Sequence, residues 1–143
     1  MEWVYDDGGR AEAGYKGEAG DCATRAIAIA TGLPYQEVYD GLKEEAKKER
    51  PRNGRKRSSV RDGTNRNTAK RYLISIGWEW TPTMFIGSGC QVHMKPDELP
   101  DLCIVSLSKH YAAVLHGVVY DTHDPTRDET RCVYGYFTSM GGG

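Results

Sequence analysis

The chain has 143 residues, 38% of them hydrophobic and 27% charged, with a formal net charge of −1. That size suits one domain with its own core, and the composition excludes a disordered or membrane chain. Near-neutral charge excludes a molecule steered as a whole toward nucleic acid, and no apolar run is long enough to span a bilayer.

The N-terminal residues Met1-Glu2-Trp3-Val4-Tyr5-Asp6-Asp7 offer neither a basic start nor an apolar stretch, so no export signal is read. The cysteines at 22, 90, 103 and 132 contain no C-x-x-C pair. A cytoplasmic, reduced setting with free thiols is therefore expected, with Cys90, Cys103 and Cys132 as packing residues. Trp3, Val4 and Tyr5 read as an edge strand. Asp21 to Gly32 reads as a helix, capped by Asp21 and ended by Gly32, with Ala23, Ala26, Ile27 and Ala30 at helical spacing on one apolar face. Its small apolar residues predict a central, closely packed helix.

A second helix begins at Pro34, with Tyr35, Val38, Tyr39, Leu42 and Ala46 on one face. A third is expected from near Asn65 to Ile76, turning Ala69, Tyr72, Leu73 and Ile76 inward and stopping at Gly77. The period then changes to two. Trp78 and Trp80 flank Glu79, Leu102 to Leu107 is an apolar strand, and Val133 to Phe137 reads as a last strand. Tyr111 to Leu115 and Val118 to Thr122 flank His116-Gly117, a two-residue hairpin turn. Helices followed by strands predict a single α+β domain over residues 1–143.

Between Lys47 and Arg71 eleven basic residues face two acids, Glu49 and Asp62, a local excess of nine positive charges. We read about 47–66 as a polar loop or insert. Arg52, Arg55, Lys56, Arg57 and Arg61 could hold phosphates of a nucleic acid or an acidic protein partner. No aromatic residue lies between Lys48 and Lys70, so stacking of single-stranded bases is not indicated.

Cys22 stands at the first turn of the first predicted helix, where free N–H groups and the helix dipole favour a thiolate. The adjacent Asp21 opposes that charge unless its carboxylate is turned away. His110 opens a hairpin strand and can serve as the base. With a turn at 116 and 117, facing residues sum to 233, so His110 faces His123. Asp121 then shares a sheet face with His110, whereas Asp124 lies on the other. Cys90-x-x-His93 lacks the paired spacing of a structural zinc site, and His93 and His116 read as loop and turn residues.

The order of a Cys opening a central helix, a His at a strand start and an Asp on the partner strand resembles the papain-like peptidases. The Cys22, His110, Asp121 spacing is similar to that of their short relatives, the bacteriocin-processing C39-type peptidases and the transglutaminase-like group. Gly20-Asp21-Cys22-Ala23-Thr24-Arg25-Ala26 and Gly117-Val118-Val119-Tyr120-Asp121-Thr122 also resemble uncharacterised proteins of phages and bacterial mobile elements. With Tyr72-Leu73 and Gly77-Trp78, the likeness covers roughly residues 18–137.

This resemblance implies a papain-like fold, with the helices packed on a C-terminal antiparallel sheet. It implies hydrolysis of amide or isopeptide bonds in a protein or peptide, or acyl transfer to an amine, with no cofactor or metal. Cys22 would attack, His110 would move the proton and Asp121 would orient it. The Asp124-Pro125-Thr126 match to transglutaminase-like triads favours Asp124 instead. The glutamine that usually precedes the papain-like cysteine is absent, leaving the backbone of Cys22 and Ala23, or Lys16, for the oxyanion. The alternative implied is a weakly active fold serving a phage or mobile element as a binding module through its basic segment.

Overall fold

The computed structural model describes residues 1–15, 21–49, 66–85 and 87–140. Lys16 and the basic residues Arg52, Arg55, Lys56, Arg57 and Arg61 lie outside the described residues.

The first helix, α1 (Cys22–Thr31), follows from its Ala and Ile content and buries most of its circumference. It stops where Gly32 takes a left-handed conformation (φ 77°) and its N–H bonds the Ala28 carbonyl at 3.0 Å. Asp21 occupies the N-cap position but makes no side-chain cap bond, contrary to expectation. Helix α2 (Tyr35–Ala46) starts after Pro34 and buries Tyr35, Val38, Leu42 and Ala46. Helix α3 (Arg66–Ser75) buries Thr68, Ala69, Tyr72 and Leu73. Ile76, expected inside, lies beyond the helix end and is 36% exposed. Gly41 lets α2 and α3 approach closely: a Cβ there would stand 2.2 Å from the Tyr72 ring.

Beside the helices lies a six-stranded sheet of β1 (Glu2–Tyr5), β2 (Trp78–Pro82), β4 (Leu102–Leu107), β5 (His110–Leu115), β6 (Val118–Asp121) and β8 (Gly135–Ser139), in the order β1-β6-β5-β4-β8-β2. The architecture is α+β, but the sheet is mixed. β1 runs parallel to β6, pairing Trp3 with Val119 and Tyr5 with Asp121. A wholly antiparallel C-terminal sheet is therefore corrected, because the N-terminal strand returns to close one edge. The expected last strand is also divided. β7 (Cys132–Val133) pairs with β3 (Val92–His93) as a separate ribbon, while β8 joins the main sheet.

Alternation along the strands makes two cores. On the helix side Ala23, Ile27, Leu42, Leu73, Ile104 and Phe137 pack together. On the far side Met94, Cys103, Val105, Val114, Val119 and Val133 form a second cluster. Each fully buried aliphatic side chain contributes roughly 1.5–3 kcal/mol of transfer free energy, enough to fix α1 against β5.

Cys90 and Cys132 are joined by a disulfide, their Cα atoms 5.8 Å apart, and only Cys22 and Cys103 are free. This corrects the expectation that Cys90 and Cys132 are free thiols. The pairing of His93 with Cys132 in the β3–β7 ribbon brings the two cysteines together across 42 residues. Among the described residues no helix is long and apolar enough to cross a membrane.

Candidate active site

Cys22 is the first residue of α1 and is half-buried. The first turn closes with the Arg25 N–H on the Asp21 carbonyl at 3.1 Å. The N–H groups of Cys22, Ala23 and Thr24 therefore have no acceptor within their own helix. They point past the helix end with the positive pole of its dipole, which suits both a thiolate and an oxyanion.

The β5–β6 hairpin supplies the base and its partner. His116 and Gly117 both take left-handed conformations (φ 52° and 79°), as a tight two-residue turn requires. Ala113 then pairs with Tyr120 and Val114 with Val119. This register puts His110 and Asp121 on one face at the open end of the hairpin. His110 Nε2 lies 2.5 Å from Asp121 Oδ2, and the Thr122 N–H donates to Oδ1 at 2.7 Å. The Asp121 carbonyl also receives the Trp3 indole N–H at 3.1 Å and the Asp6 N–H at 3.0 Å, so β1 braces this residue. Asp124 is not part of the group. Its Oδ1 accepts from the Thr126 N–H (2.9 Å) and hydroxyl (2.7 Å) in a local turn.

His110 is the leading group that lowers the Cys22 thiol, and with Nε2 taken by Asp121, Nδ1 is the nitrogen left to face it. Burial pushes the Cys22 thiol up. The His110 bond and charge, the Tyr111 N–H and the Arg25 charge outweigh it and leave the thiol below its ordinary value. Burial pushes His110 down, but the Asp121 and Cys22 bonds prevail and raise it to about 9. Cys103 has no such partners, and burial alone pushes it up to about 12. The arrangement thus shifts the thiol toward the thiolate and the imidazole toward the imidazolium.

Asp21 is turned away from the sulfur. Its carboxylate is 1% exposed, bonded by the Arg25 guanidinium and the Tyr35 hydroxyl, with Arg10 Nε at 3.1 Å. Sequence reading missed Arg10, Arg25 and Tyr35. An Asp and an Arg four apart on one helix is the signal that was available for Arg25. Arg10 and Tyr35 arrive by tertiary packing and carried none. His123 is exposed, and its ring packs against His110 at a tilt of 49°, with centroids 4.9 Å apart. The donor atoms of His110, Asp121 and His123 lie within 4.8 Å of one another, and Nε2 of His110 is committed to Asp121, so the group is a hydrogen-bonded pair with a tilted neighbouring ring. His93 sits on β3 with Nδ1 3.3 Å from Glu98. An open hollow of about 360 Å³ lined by Asp6, Gly8, Ala28, Ile29, Leu115 and Tyr120 includes none of Cys22, His110 and Asp121.

No protein-family model, curated protein or solved structure matches the chain.

Proposed function

We propose that the protein is a papain-like cysteine hydrolase acting on amide or isopeptide bonds. The observation that carries this reading is the line of Cys22, His110 and Asp121, with the thiol lowered and the imidazole raised. A structural cysteine in an apolar helix has no need of a buried imidazole backed by a carboxylate, and Cys103 illustrates the ordinary case.

The steps follow from the parts. The Cys22 thiolate attacks the carbonyl carbon, and the developing oxyanion is held by the N–H groups of Cys22 and Ala23. The His110 imidazolium gives its proton to the leaving nitrogen as the C–N bond breaks, leaving a thioester on Cys22. Neutral His110 then takes a proton from water, whose oxygen attacks the thioester and releases the acid. That proton stays on His110 as the thiolate leaves, which restores the starting ion pair. Asp121 holds the Nε2–H throughout, fixing the ring so that Nδ1 faces the sulfur. An amine entering in place of water would make the same chemistry an acyl transfer.

The test is intact-protein mass spectrometry during exposure to a panel of peptide and isopeptide esters and amides. An acyl adduct on Cys22, and loss of turnover in Cys22→Ser, are expected. Turnover that survives Cys22→Ser would overturn the reading.

A further inference from the structure

Two buried carboxylates flank the proposed nucleophile and base. Asp21 precedes Cys22 and is 1% exposed, and Asp121 backs His110 and is 4% exposed. One guanidinium stands between them. Arg25 lies on α1 one turn beyond Asp21. Its Nη1 is bonded to Asp21 Oδ1, and its Nη2 is 3.9 Å from Asp121 Oδ1. Arg25 is itself buried, and its Nε has no hydrogen-bond partner among the described residues. The side chain is therefore held by the tip of its fork, by one carboxylate from each half of the site. A fork of fixed geometry can span two carboxylates in this way, whereas a lysine ammonium is a single point charge.

We propose that Arg25 is a positioning residue: it balances the charge of Asp21 beside the nucleophile and anchors Asp121 behind His110, so that the Cys22–His110 ion pair is favoured over the neutral pair. This rests on the cysteine-hydrolase reading of the site. The charged and titratable groups around the pair come from every neighbouring element. Asp21 and Arg25 lie on or at the head of α1, backed by Arg10 and Tyr35. His110 and Tyr111 lie on β5, and Tyr111 senses both Cys22 and Arg66 of α3. Asp121 ends β6, with His123 Nδ1 3.9 Å from its Oδ1, and Arg131, just before β7, adds a positive charge felt at Asp121. Arg25 alone among these is placed against both carboxylates. Removing it takes one positive charge from beside both carboxylates and leaves Asp21 with Arg10 alone, whereas removing Asp21 leaves an excess of positive charge there. The two changes act on the thiol with opposite signs.

The experiment is the pH profile of Cys22 alkylation by iodoacetamide, read by mass spectrometry on the full chain. Arg25→Gln should move the midpoint up by about one unit, making Cys22 about tenfold less reactive on the acidic limb while converging with the unaltered protein near pH 10. Asp21→Asn should move the midpoint down, and Arg25→Lys should fall between Arg25→Gln and the unaltered chain. A merely structural arginine does not give opposed shifts. If Arg25→Gln fails to fold, Arg25→Lys and Asp21→Asn still decide the sign. Shifts of both in the same direction, or none, overturn the proposal. His110→Ala separates the two levels: a moved midpoint there with Arg25 and Asp21 variants unmoved removes the Arg25 role alone, while an unmoved midpoint in His110→Ala removes the hydrolase reading.

Discussion

His110 Nε2 and Asp121 Oδ2 lie 2.5 Å apart, and that contact is set by a turn some distance away. The left-handed pair His116-Gly117 fixes the register, and a one-residue slip would send Asp121 to the opposite face. Asp121→Asn should therefore lower turnover by roughly 10²–10⁴-fold, since an amide no longer fixes the imidazolium. Asp124→Asn should stay within a few-fold of the unaltered rate and cost about 1 kcal/mol of stability through its Thr126 turn. Steady-state rates and chemical denaturation of both variants check this. Comparable loss in Asp124→Asn would transfer the orienting role to that residue.

The pH dependence follows from the directions at the pair. Cys22 is below its ordinary 9.0 and His110 is raised to about 9. Activity should rise through the lowered thiol value and fall on an alkaline limb near 9. These limbs belong to the coupled pair. The sign for stability is separate. A raised histidine contributes stability that is full below its unfolded value of about 6.5 and is lost as pH rises through about 9. The lowered Cys22 thiol contributes with the opposite sign over that interval, so the fall in melting temperature is expected in Cys22→Ser, where the histidine acts alone, and less of it when Asp121→Asn is added. A profile with no alkaline limb below pH 10 would contradict this arrangement.

The Cys90–Cys132 bridge closes 42 residues and should add about 2–4 kcal/mol, chiefly by restricting the unfolded chain. Denaturation with and without reductant, and in Cys132→Ser, measures it. The bridge sits next to Arg131, whose guanidinium bonds the Ser108 carbonyl at 2.8 Å and the Pro125 carbonyl at 3.4 Å. A midpoint unchanged by reductant would mean that the bridge adds no stability.

Gly41→Ala separates fold from site. The added Cβ would meet the Tyr72 ring at 2.2 Å, so overpacking should cost about 1–3 kcal/mol. Cys22 reactivity in the folded fraction should not change, because the α2–α3 contact does not touch the thiol. Denaturant midpoints and labelling rates at low denaturant distinguish the two effects.

Local signals located much of this in advance. The apolar period and Gly32 delimit α1, and His116-Gly117 with alternating neighbours sets the hairpin and therefore Asp121 over Asp124. What was hidden is long-range. Nothing near Trp3 announces that β1 will run parallel to β6, because parallel pairing leaves no turn to read. Cys90 and Cys132 are far apart in sequence and meet only through the β3–β7 ribbon. Asp21 was legible as a helix-start residue, but its true partners Arg10 and Tyr35 come from segments whose packing is decided by the whole core. The tension between Asp21 and a thiolate was visible in the sequence, whereas the Arg25, Arg10 and Tyr35 contacts that turn Asp21 away arise only in the folded chain.

The central claim is an ionised Cys22 sustained by His110, and the most direct measurement is the rate of iodoacetamide labelling at pH 7, resolved by cysteine. Cys22 should react at least about tenfold faster than Cys103, whose thiol is pushed up to about 12 by burial. His110→Ala should slow Cys22 by about tenfold or more while leaving Cys103 unchanged. Equal labelling of the two thiols, or a Cys22 rate indifferent to His110→Ala, would contradict the account.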